Sequence, residues 1–169
     1  VKKIQDDFTS ALEGSVVALA GKDGKPISQT MSLNSEVCQM MKNESKKGWD
    51  RCLQCYQSVL DLTKKASETQ APLFIDCHAG FIAFWMPIKA GGKLAGAFLG
   101  CGGRYFDKGK SREELKQKYA EYATEIGVDK ERFVKFALSL KPATSEEIGT
   151  KVGWMAKLFG VLAEETAFS

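Results

Sequence analysis

The sequence predicts an α+β domain: a central antiparallel β-sheet of about five strands, flanked by helices and followed by a C-terminal helical segment. Three observations carry this reading. Residues 82–89 and 94–101 form two apolar runs, I-A-F-W-M-P-I-K and L-A-G-A-F-L-G-C, joined through Gly91-Gly92-Lys93. Runs of this length, rich in aromatics and bounded by turn residues, suit strands buried on at least one face. A second strand–turn–strand signal, V-V-A-L-A-G-K-D-G-K-P-I, stands near the start, and three helical patterns follow residue 107.

Length and composition fit one compact domain over residues 1–169. An apolar content of 44% supports a core without staples. The net charge is only +3, and basic and acidic residues are interleaved, as in K-S-R-E-E-L-K-Q-K. Without a basic stripe, direct nucleic-acid binding by this segment is not expected. No apolar run reaches the length of a membrane span, and no signal-peptide pattern is present. The chain opens on Val1 and closes just after a helical pattern, which reads as an excised part of a longer protein.

Taken in order, Ile4, Phe8 and Leu12 mark one face of a short helix. Residues 16–20 read as a buried strand, and Asp23-Gly24 as a turn before a return strand over 27–31. Asn34 or Ser35 can cap a short helix through Met41. Residues 43–47 are polar and expected to be exposed. Asp50 is a candidate cap for a helix over 51–69, with Cys55, Val59, Leu62 and Ala66 facing inward. Pro72 stops that helix. A short strand over 73–76 then precedes the central pair. Lys108 to Ile126 reads as a charged helix with Leu115, Tyr119, Tyr122 and Ile126 inside, ended by Gly127. Asp129 caps the next helix, which buries Phe133, Phe136 and Leu140 until Pro142 interrupts. Thr144 and Glu147 have capping-box spacing before the last helix, over 145–166, which carries Ile148, Val152, Met155, Phe159 and Leu162 near one face.

Chemistry-bearing residues gather around the central strands. Cys52-x-x-Cys55 is expected in or beside the first turn of its helix, where free amides and the helix dipole favour thiolate. Cys38 precedes the pair and Cys77-His78 follows it. Thiolates of Cys38, Cys52, Cys55 and Cys77 can complete a tetrahedral zinc site or hold an iron–sulfur cluster, with His78 or Cys101 able to substitute. Packed thiols and a redox switch stay open beside that reading. His78 suits a pocket wall, or a histidine satisfied by backbone carbonyls. Asp76 is not expected to orient it, because adjacent strand residues point to opposite faces. Gly100-Cys101-Gly102-Gly103-Arg104 lacks a P-loop pattern, though Arg104 can contact an anionic ligand. Aromatics such as Trp85 serve the core or line a cavity. The candidate ligand-binding residues are therefore His78, Trp85, Cys101, Arg104 and Tyr105. A single histidine without a nucleophile elbow supports no catalytic triad, and no enzyme activity is expected.

These features resemble the PocR sensory domain, a PAS-like variant. The matching parts are V-V-A-L-A-G-K-D-G-K-P-I, then Cys38, Cys52 opening a helix, C-H-A-G-F at 77–81, M-P-I at 86–88 and G-K-L-A-G-A-F-L-G at 92–100. The resemblance implies a PAS-like sheet and a sensor of small organic molecules, such as short diols. It implies an output domain in the same chain: DNA-binding, kinase or chemoreceptor. A Gln often follows the last strand glycine in this family, whereas Cys101 stands here, and Cys55 adds a thiol. The extra thiols add weight to a metal-linked or redox-linked site and count against a simple diol as the ligand. The apolar stripe of the last helix also permits a homodimer.

Overall fold

The computed structural model describes residues 16–23, 25, 27, 35–65, 72–101 and 103–167. In chain order the elements are β1 (Val16–Gly21), α1 (Glu36–Glu44), α2 (Lys46–Lys65), β2 (Leu73–Asp76), β3 (Ile82–Ala90), β4 (Lys93–Cys101), β5 (Arg104–Phe106), α3 (Arg112–Ile126), α4 (Lys130–Ser139), β6 (Lys141–Ala143) and α5 (Ser145–Ala167). Four strands form an antiparallel sheet in the order β1-β4-β3-β2. Short strands β5 and β6 pair in parallel beside it. This is a PAS-like α+β arrangement. The helix expected over 4–12 and the return strand over 27–31 lie outside the described residues, apart from the exposed Ile27.

β3 is apolar almost throughout because both of its faces are covered. Alternation along the strand sends Ile82, Phe84, Met86 and Ile88 to one face. There they pack with Phe98 against Ile148, Val152, Met155 and Ala156 of α5. Trp85 goes to the other face, with Leu99 and Ala97, and meets Val59 and Tyr56 of α2. Beyond the end of the sheet, α1, α3 and α4 close around Phe81, Tyr119, Tyr122 and Phe133. The hairpin turns at Gly91 and Gly92, whose φ angles of 54° and 75° only glycine adopts readily. Gly96 serves a different need: a Cβ there would stand 2.5 Å from the Ala20 carbonyl oxygen, so glycine lets β1 approach β4.

Several helix ends follow the expected chemistry. Asp129 accepts from the Arg132 amide at 2.7 Å, and Thr144 and Glu147 complete their capping box at 2.8 and 3.1 Å. Two ends differ. The charged helix starts at Arg112, with Ser111 and Glu114 forming the box. α2 starts at Lys46, five residues before the expected position, so Asp50 lies inside it. Its cap is Ser45, whose hydroxyl accepts from the Gly48 amide at 2.9 Å and donates to the Ile126 carbonyl at 2.5 Å. That second bond ties the α1–α2 junction to the end of α3. It also explains why Ser45 is buried within a stretch expected to be exposed. β5 and β6, three residues each, escaped the sequence reading; Pro142 sits inside β6.

A pair of helix glycines tests the packing of α5 on the sheet. A Cβ on Gly160 would overlap the Lys89 carbonyl, whereas one on Gly153 meets nothing within 4 Å. Gly160→Ala is expected to destabilise by about 1–3 kcal/mol. Gly153→Ala is expected to stabilise by up to about 1 kcal/mol through helix propensity. Thermal unfolding of the two variants checks the contrast; equal shifts would show that α5 does not lie so close to β3.

Candidate functional site: a thiol core beside a polar cleft

Four segments far apart in sequence deliver all five thiols to one place. α1 carries Cys38, α2 carries Cys52 and Cys55, the β2–β3 loop carries Cys77, and the end of β4 carries Cys101. All are free, and all belong to one apolar cluster with Met41, Phe81 and Tyr122. They are near enough to influence one another's ionisation: Cys101 feels Cys38, Cys77, Cys52 and Cys55. Cys52 and Cys55, three residues apart on α2, share the face that meets the core.

His78 belongs to this core. Its Nε2 lies 3.1 Å from Cys52 Sγ, and its Nδ1 lies 2.5 Å from the Tyr122 hydroxyl. A neutral imidazole offers one donor and one acceptor, which these two partners can satisfy in either tautomer. Burial, then the charge of Arg51, pull the His78 pKa down to about 4. The ring is therefore neutral at physiological pH.

The thiols are neutral too. Burial is the first cause in every case: it raises Cys38 to about 11 and Cys77 to about 12, and it raises Cys55. Cys52 and Cys101 are raised further by their thiol neighbours. This corrects the expectation of a dipole-stabilised thiolate. Because α2 begins at Lys46, Cys52 is its seventh residue and lies beyond the free amides of the first turn. What remains is desolvation, which favours the uncharged form. Among the described residues, no group of three or more His, Cys, Asp or Glu side chains is arranged to hold a metal ion.

The other sequence candidates separate. Trp85 is buried under α2, beside Tyr56 and Val59. Arg104 reaches the Pro142 carbonyl at 3.4 Å, across the β5–β6 pair. Tyr105 lines a cleft of about 270 Å³ with Asp76, Gly80, Lys108, Lys110, Lys118 and Tyr119. Asp76 pairs there with Lys108 and is not directed to His78, as strand alternation implied.

The loop 77–81 is the common wall of core and cleft. The Cys77 amide donates to the Phe81 carbonyl at 2.6 Å, and the Gly80 amide donates to the Cys77 carbonyl at 2.8 Å. Gly80 takes φ +82°, and a Cβ there would collide with the end of the Lys118 side chain. The positive φ of the turn is what favours glycine here, since the end of the lysine side chain can move aside. Cys77 and His78 thus face the thiols, while Gly80 faces the cleft. Tyr119 and Tyr122 were legible only as an apolar stripe on α3. A tyrosine on an inner stripe must place its hydroxyl, and that was the available signal.

The family model described as the sensory domain found in PocR matches residues 1–167. The chain belongs to that family of sensory domains. No curated protein and no solved structure matches it.

His78 is the sole histidine of the chain, so its titration can be followed by itself. Its folded-state pKa lies below the unfolded value of about 6.5. Stability is therefore expected to be fully present above that pH and to fall as pH drops from about 6.5 to about 4. NMR titration of the imidazole checks this; a midpoint near 6.5 in the folded protein would place the ring in solvent.

Proposed function

We propose that the chain is the input domain of a signalling protein. It binds a small organic molecule and relays its presence to an output domain in the same chain, which is DNA-binding, kinase or chemoreceptor in kind. The observation that carries this reading is the family match over residues 1–167. The cleft beside the 77–81 loop supports it, since it offers a concave site against the core. A ligand there can bias the loop and, through Phe81 stacked on Tyr119 at 5.6 Å, the seat of α3. The reading assigns no catalysis. Free thiols accord with a cytoplasmic setting, and among the described residues no helix is long and apolar enough to cross a membrane.

The relay is assigned to α5. Its inner face packs on the sheet, while Trp154, Leu158 and Val161 stand exposed on its outer side together with Leu162, which departs from the inner stripe expected for it. Linkage requires the ligand to favour one packing of the domain over another. A second copy of the chain on the outer stripe is the form of homodimer this reading accommodates.

A second reading rests on the convergence of the thiols. In it, Cys38, Cys52, Cys55 and Cys77, with Cys101 or His78, hold zinc or an iron–sulfur cluster, and the domain responds to redox state. The donor chemistry suits either group, but the side chains would have to close from their present positions.

One preparation separates the readings. Protein purified without oxygen is assayed for zinc, iron and sulfide, then screened by thermal shift against small organic molecules. The sensor reading expects at least one compound to raise the melting temperature in a concentration-dependent way. Near-stoichiometric zinc or iron with sulfide would establish the metal site. Absence of metal under these conditions would sink the second reading, and absence of any thermal response would sink the first.

A further inference from the structure

The polar cleft contains a buried group whose chemistry is incomplete. Tyr119 is fully buried, and among the described residues its hydroxyl has no hydrogen-bond partner. A buried hydroxyl left unpaired costs free energy, so it needs either a ligand or an ordered water. The same hydroxyl is influenced by Tyr105, Cys77 and Asp76, of which Tyr105 and Asp76 line the cleft. Burial holds Tyr119 protonated, with its pKa raised to about 12, which leaves it a donor.

The charges around it are unequal. Lys108, Lys110 and Lys118 face Asp76 and Asp107 across the cleft. Both carboxylates are engaged: Asp76 with Lys108, and Asp107 with the Gly109 amide at 3.0 Å. Glu114, on the neighbouring turn, partly offsets Lys110. Lys118 lies over the Gly80 backbone, with its ammonium 5.8 Å from the Tyr119 ring centre. Donors therefore outnumber available acceptors around the cleft. Its volume of about 270 Å³ suits a short ligand.

We propose that this cleft binds a small organic carboxylate, with Tyr119 Oη and Lys118 Nζ donating to its oxygens and the 77–81 loop as its floor. The proposal rests on the sensor reading and names the ligand's chemical class. Binding there exchanges the unpaired hydroxyl for a charge-assisted bond.

The test uses the whole chain and titration calorimetry against two- to four-carbon carboxylates, diols of matching length and inorganic phosphate. A carboxylate is expected to bind, and Tyr119→Phe and Lys118→Gln are each expected to weaken it roughly tenfold to a hundredfold. Tyr119→Phe is also expected to raise the melting temperature of the ligand-free protein, because it removes an unpaired buried oxygen. That combination, tighter fold and weaker binding, cannot come from misfolding. Binding of diols alone, unaffected by either variant, would overturn the carboxylate and leave the sensor reading standing. Phosphate binding as tightly as any carboxylate would reduce the cleft to a general anion site and overturn the proposed class. If no small molecule binds in calorimetry or thermal shift, the sensor reading and the proposal fail together.

Discussion

Burial of β3 on both faces is the constraint on which the rest of the structure depends. An antiparallel sheet can leave one face to water, but here the residues from Ile82 to Ile88 are all buried, so both faces of the strand are covered. α5 covers one face and α2 the other, so the directions of both helices are tied to one strand. The glycines at the contacts admit this closeness: Gly160 lies against the Lys89 carbonyl, and Gly96 lies against Ala20. The cost of glycine in a helix or strand is offset by the backbone approach it allows.

The loop that enters β3 inherits this rigidity. It leaves β2 at Asp76, turns through Cys77, His78, Ala79 and Gly80, and returns at Phe81. One side of the turn is committed to the thiol core, the other to the cleft. The two sites thus share one wall. Two contacts run from it to α3: Phe81 stacks on Tyr119, and His78 bonds to Tyr122, one turn further along the helix. A domain of the PocR sensory family thus places two chemically distinct centres against one turn and one helix.

The thiol core also shows how environment overrides residue type. Five cysteines and a histidine are the groups most often associated with metal binding and nucleophilic chemistry. Here burial makes all of them neutral, and a neighbouring cation, Arg51, acts on His78 and Tyr122. Arg51 itself is paired with Glu125 at the end of α3. The core is therefore an uncharged thiol cluster in an apolar setting until something supplies the means to ionise it.

Much of the fold was written in local signals. Hairpin glycines, the Asp129 cap, the Thr144 box and the apolar stripes act over a few residues, so the sequence by itself determined β1 to β4, the last three helices and the α+β class. The start of α2 was misplaced because Ser45 owes its cap role partly to a long-range bond, to the Ile126 carbonyl. β5 and β6 were missed because three-residue strands have no periodicity to read, only a partner to pair with. The sequence also marked Cys77, His78 and Tyr105 as chemically suggestive, but it could not say that His78 sits with the thiols while Tyr105 lines the cleft. That division, the neutrality of the thiols and the unpaired hydroxyl of Tyr119 depend on burial and on contacts between distant segments. Desolvation and three-dimensional proximity are properties of the packed chain, and only the tertiary structure decided them.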